Sequence, residues 1–382
     1  MTLFLDTGGD PRAGAAQLAD VLALYGALGD AAAGNPPGFA ARKAAAAAAL
    51  ARTVALDGAD VDAIYLAGLL HSVGAIGNGA YRRGERLSER QARMESWDVP
   101  AQGARVCAEM PWLPAATSDV VRWQSEWWDG TGFPDQLRWH GIPESAAMLL
   151  LADTFVRSAD PEEALATVSE QSGRAFGPTV ARAFTMWYHS TGAELDPCEP
   201  PLHALDGAPA GTASEWLDRI ADRVDAHVGE PGRWRRIARL TEPAAALRGF
   251  DAESRRALAI AVRTYGAGEL GESEAAESKY DPLARLGIDE RAAHAVAAAA
   301  LVEPVASFTI AAPVLRARSE WYDGTGKPDE LFHGAIPAPA LLLAAAIAYD
   351  SLAHKDRIDT AAGTQFDPHS VRAVLEAARA LA

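Results

Sequence analysis

Asp153 is the residue whose setting most demands a chemical reason. It interrupts the run Met148-Leu149-Leu150-Leu151-Ala152, and a carboxylate on a buried helix is costly unless it is paired or bound. His71 ends a second apolar run, Leu66-Ala67-Gly68-Leu69-Leu70-His71, where an imidazole is either a satisfied near-core group or a metal ligand. Glu126 stands just ahead of a glycine-rich loop. Carboxylates and imidazoles are the ligands of a hydrolytic metal centre, which needs about three or more protein ligands per ion and an open position for water. His71 and Asp153 alone fall short of that number; Glu126 would add a third, too few for two ions.

The loop after Glu126 carries the second group of candidates. Trp127, Trp128, Asp129, Gly130, Thr131, Gly132, Phe133 and Pro134 recur, 194 positions on, as Trp321, Tyr322, Asp323, Gly324, Thr325, Gly326, Lys327 and Pro328. The two glycines supply positive φ and the proline fixes the exit, so backbone geometry accounts for the pattern as well as a binding role does. A calcium loop is a poor fit, because Asp129 and Asp135 lack the alternate oxygen ligands and the terminal Glu of that pattern. Trp123 and Trp127 are spaced as neighbours on one helix face, a core stripe or, in part, an exposed anchor for a partner. Phe133 becomes Lys327 in the second copy, so the loop tip is not a fixed core contact.

These residues need elements to position them, and the spacing predicts helices. Residues 15–28 carry a helical stripe that stops at Gly29-Asp30. A second helix is expected over 39–56, closed by Asp57-Gly58, and a third with Asp60 or Asp62 as N-cap. Residues 81–93 read as a charged irregular segment, followed by a helix starting after Pro100. Ser118 or Asp119 would cap the next. Further helices are expected over 146–156 and 178–188. After a linker rich in Pro and Gly at 191–212, the order repeats from a helix over 216–228, through 256–262, to 338–352 and a last helix after Pro368. A repeat at this distance is a duplicated domain, not a solenoid. The expected domains are 1–190 and 213–382, all-α, as two tandem helical bundles.

Composition narrows the partners. A net charge of −16 argues against nucleic acid and against an anionic membrane surface. Two cysteines, Cys107 and Cys198, make neither a disulfide framework nor a zinc site. No signal peptide or membrane span is expected, and the location expected is cytoplasmic.

The motifs together resemble the HD-GYP family, a branch of the HD phosphohydrolases. Leu69-Leu70-His71-Ser72-Val73-Gly74-Ala75-Ile76-Gly77 is similar to its LLHDIGKIG motif, and Glu126 to Pro134 to its HHExxDGxGYP signature. Pro100 to Arg105 resembles its HPxxGAxI segment, and Phe366-Asp367-Pro368 its FDP. The resemblance implies an HD-type helical bundle, hydrolysis of cyclic di-GMP at two or three irons, and contacts of the GYP loop with GGDEF-type signalling proteins.

Most of the implied ligands are replaced. The leading histidine falls near Phe39, the bridging Asp is Ser72, and the following Lys is Ala75. The histidine of the HP segment is Val99, and the paired histidines are Gln124 and Ser125. His71 and Asp153 remain. In the second copy the positions read Arg263, Thr264, Arg318, Ser319 and Ile347. The expectation is therefore a non-catalytic regulatory or scaffold protein whose two DGTGxP loops contact a protein partner. Cyclic di-GMP binding without hydrolysis is the alternative, with Arg42 and Arg138 as candidate nucleotide contacts. No cofactor is expected, and a residual site would take iron or manganese. The copies are expected to pack as an intramolecular pseudo-dimer.

Overall fold

The computed structural model describes residues 10–77, 89–195, 199–270 and 288–381. Among these the chain is all-α; the only extended pairing is one isolated bridge in each half, Ser172 to Phe176 and Ala362 to Phe366. It divides into two compact units, Asp10–Ala210 and, in its described part, Gly211–Ala382. No helix among the described residues is long and apolar enough to cross a membrane.

The first unit contains α1 (Pro11–Ala33), α2 (Phe39–Thr53), α3 (Gly58–Leu69), α4 (Glu89–Ala108), α5 (Thr117–Trp123), α6 (Glu144–Arg157), α7 (Pro161–Glu170) and α8 (Pro178–Thr191). The alanine-rich α2 packs between α3 and α6. Its small side chains serve that position: a Cβ on Gly68 of α3 would lie 2.5 Å from the Ala44 Cα, so the two backbones are in direct contact. Ala44, Ala47, Ala48 and Leu50 are fully buried at this seam.

The second unit repeats the order with α9 (Thr212–His227), α10 (Arg233–Leu247), α11 (Ala252–Thr264), α12 (Ile288–Val302), α13 (Ala312–Arg316), α14 (Ala338–Ser351) and α15 (Pro368–Leu381). Where the first unit has α7, the second has a 3-10 stretch, Lys355–Ala361. In α15 the Asp367 carboxylate accepts from the Ser370 amide at 3.0 Å and pairs with Arg248, so the FDP aspartate is a helix cap.

Several boundaries differ from the sequence expectations, each for a physical reason. Gly29-Asp30 does not end α1, which runs on to Ala33 and stops at Gly34 in the left-handed conformation. Gly29 is there for close approach: a Cβ would lie 2.8 Å from the Ser72 backbone. The α3 cap is Asp57, not Asp60 or Asp62, since its carboxylate accepts from the Ala59 amide. Helix α4 begins at Glu89 and carries Pro100 inside it, so the proline is no start signal. Of the expected irregular segment 81–93, residues 81–88 lie outside the described residues. Neither Ser118 nor Asp119 caps α5; the Ser118 hydroxyl donates to the Ala104 carbonyl instead. Helix α7 was not expected at all. Within 191–212, a 3-10 turn at Leu202–Leu205 rests on α1, and His203 reaches Asp62 at 2.7 Å.

Candidate functional site

The first unit gathers the two ligand-type residues around a lysine. Lys43, from the middle of α2, is 2% exposed. Its Nζ donates to Asp153 Oδ1 at 3.0 Å and to Gln124 Oε1 at 2.9 Å. Asp153 comes from α6 and also accepts from Arg157, one turn on, at 2.8 Å. Burial pushes the Asp153 carboxyl up, but the charges of Lys43 and Arg157 outweigh it and hold the group well below the carboxylate range. Burial lowers the Lys43 pKa, with Asp153 acting in the opposite direction.

His71 sits just past α3, buried, with Nδ1 at 3.0 Å from the Gly68 carbonyl, to which that nitrogen can donate. Its Nε2 has no hydrogen-bond partner, and the nearest carboxylate, Asp30, is 3.7 Å away. Burial and then the Lys43 charge hold His71 well below its ordinary pKa, so the imidazole is neutral. Ser72, in the place of the family's bridging aspartate, donates to Asp30 at 3.1 Å. Gln124 donates to the His71 and Val121 carbonyls at 2.9 and 3.0 Å, with its oxygen turned to Lys43.

The family's metal chemistry does not fit these residues as they stand. The ammonium of Lys43 already occupies the space between Asp153 and Gln124, and a cation placed there would meet a like charge in a dry setting. Among the described residues, no group of three or more His, Cys, Asp or Glu could hold a metal ion. Glu126 is not a third ligand. It is buried, and its two oxygens accept the amides of Asp135 and Leu137 at 2.6 and 3.0 Å.

Glu126 therefore belongs to the loop, and every part of that loop is tied down. Asp129 accepts from the amide and hydroxyl of Thr131 at 2.9 and 2.6 Å. Asp135 receives Arg122 in a bidentate pair at 2.7 and 2.8 Å, and the Trp123 indole nitrogen at 2.8 Å. Gly130 takes φ +82°, closed to most side chains. The second loop repeats these bonds: Glu320 to the amides of Asp329 and Leu331 at 2.6 and 3.1 Å, Asp323 to Thr325, and Arg316 to Asp329 at 2.7 Å. Phe133-Pro134 and Lys327-Pro328 are both cis.

The tryptophans are not one helical stripe, because α5 ends at Trp123 and Trp127 and Trp128 lie in the loop. Trp128 lies over Gly177, whose added Cβ would come within 2.6 Å of the indole, and meets His140 edge-on at 5.2 Å. Phe133 is half-buried. The exposed aromatics are further along, Trp139 at 58% and Phe332 at 60%. Of the candidate nucleotide contacts, Arg42 is exposed on α2. Arg138 is exposed with its stem against Gly130.

The equivalent place in the second unit holds arginines. Arg233 stands where the first unit has Phe39, and its guanidinium bonds Glu269 at 2.9 and 3.2 Å over the Tyr265 ring. The structural counterpart of His71 is Tyr265, 194 positions on, as the caps Asp57 and Asp251 and the close-approach glycines Gly74 and Gly268 show. Arg263, matched to His71 on motif alone, lies two residues earlier on α11 and donates to Asp218 at 2.5 Å. Lys43 and Asp153 are matched by Ile237 and Ile347, so the ion pair is lost as a pair. One polar device is common to both units: Asp30 accepts the Ala40 amide, and Asp225 the Trp234 amide, each at 2.7 Å. Both helices α2 and α10 start after a glycine with no cap of its own, and the preceding helix supplies one.

Two tandem all-α bundles with this motif order define a duplicated HD-type architecture. A model of the HD domain matches residues 27–180 and again residues 217–367; the chain belongs to that family. A cyclic di-GMP phosphodiesterase of Vibrio cholerae serotype O1 is 28% identical over 141 residues, 32% of this chain. The match spans 28% of that relative's length. The crystal structure of a cyclic GMP-AMP specific phosphodiesterase of V. cholerae is similar in fold, with a TM-score of 0.64 at 19% identity. That alignment covers 95% of this chain and 97% of the other.

Proposed function

We propose that the chain is a non-catalytic HD-domain protein of cytoplasmic cyclic-dinucleotide signalling, acting through protein contacts at its DGTGxP loops. The observation that carries this reading is Lys43. Its ammonium supplies, between Asp153 and Gln124, the positive charge that a metal would bring, and it offers no open position for water. A phosphodiesterase of this kind cannot work without that water. The loops outlive the centre they would border, keep their internal bonds in both copies, and lead to an exposed aromatic, Trp139 or Phe332. A GGDEF-type signalling protein is the partner class this reading favours.

Elemental analysis of the purified chain, with a cyclic di-GMP hydrolysis assay, tests the non-catalytic reading. The expected result is less than stoichiometric iron and manganese and no turnover. Bound iron together with hydrolysis would overturn it. For the contact surface, Trp139→Ala with Phe332→Ala should abolish co-purification of a GGDEF-type partner. Retention of that partner by the double variant, and by one that also carries Phe133→Ala and Trp128→Ala, would remove the loops from the interface.

A further inference from the structure

The second unit has lost the anion of the first unit's centre and gained cations. Asp153 is matched by Ile347, while Gln124 is matched by Arg318. Of the arginines nearby, Arg233 is consumed by Glu269. Arg318 is different. Its Nε is buried and has no hydrogen-bond partner among the described residues. Its guanidinium carbon lies over the Tyr265 ring, 5.8 Å from the centroid. Arg318 lines a cavity of about 70 Å³ together with Arg291, Ser319, Gln365 and Ile347. Glu320 is on the wall too, but its oxygens are bound to the loop amides of Asp329 and Leu331.

We propose that this cavity is a binding site for a phosphate group, held by the Arg318 fork with Arg291 as a second cation. A guanidinium is built for bidentate contact with phosphate oxygens, and a buried donor of a cation left without an acceptor is costly until an anion joins it. The space suits one phosphate group, free or carried by a nucleotide whose remainder stays outside. Burial lowers the Arg318 pKa, with Glu269 opposing it, and a bound phosphate would act with Glu269. The first unit has no such site, since Gln124 and Asp153 there are already satisfied by Lys43.

The test is calorimetry on the full chain at constant ionic strength, with inorganic phosphate, 5′-GMP and cyclic di-GMP titrated separately against a chloride control. At least one should bind, and Arg318→Gln should weaken it by about tenfold or more. Which of the three binds identifies the source of the phosphate. In phosphate-free buffer Arg318→Gln should melt no lower than the parent, because it removes a buried donor without an acceptor; lost binding is then not lost folding. Should that variant fail to fold, Arg318→Lys keeps the charge without the fork and should bind several-fold more weakly. No binding by the parent above the chloride control, or parental affinity in a folded Arg318 variant, overturns the proposal. Iron in the first unit would overturn the non-catalytic reading and leave this one standing.

Discussion

At the scale of single residues, Lys43 is the decisive side chain, and its energetics are testable. Removing one member of a buried pair leaves the other uncompensated, whereas replacing both by apolar groups is often neutral. The second unit already carries that double replacement as Ile237 and Ile347. Lys43→Met should therefore destabilise the first unit by about 3 kcal/mol, and Lys43→Ile with Asp153→Ile should recover most of it. Urea denaturation of the single and double variants checks this; equal losses in both would mean the pair is not a unit. Asp153 was legible in the sequence because a carboxylate in an apolar run needs a partner. The partner itself was not, because a lysine in an alanine-rich helix looks like solvent decoration. Its repeat counterpart, the buried Ile237, was the available signal that the position points inward.

Elements come next, and here the DGTGxP loop acts as a small rigid body. Glu126 joins the loop's start to its exit through two amides, and Glu320 does the same in the second unit. Glu126→Ala leaves the Asp135 and Leu137 amides without acceptors, at a cost of about 2 kcal/mol. Hydrogen exchange at those two amides should accelerate strongly, while core amides of α2 change little. Unchanged exchange would show that the glutamate is not the fastener. The repeat and the loop motif were readable from residue types alone. The helix limits were not. Gly29 and Pro100 looked like punctuation, yet one permits contact with the Ser72 backbone and the other sits inside α4. Glycine for close approach and glycine for termination look the same until the neighbouring backbone is known.

For the whole molecule, the two copies share a frame and differ in how each satisfies its interior. Both draw the cap of their second helix from an aspartate of the first, which ties α1 to α2 and α9 to α10. In the second unit that aspartate, Asp225, faces Arg233, Glu269 and Asp222, and burial raises its pKa to about 6. The folded state thus favours the protonated form. The stabilisation this gives is complete below the unfolded value of about 3.9 and is lost as pH rises through about 6. The second unit's melting temperature should accordingly decrease as pH rises from about 4 to about 6.5, and Asp225→Asn should flatten that dependence. Calorimetry across this range resolves it; a parental slope in Asp225→Asn would assign the titration elsewhere.

An ammonium carried by the chain is a counter-ion that cannot be exchanged. Iron can be chelated, oxidised or displaced by a commoner metal, and a fold that leans on it inherits the cell's metal supply. If Lys43 anchors Asp153 in place of a metal, as proposed, chelators should leave the first unit's melting temperature where it was.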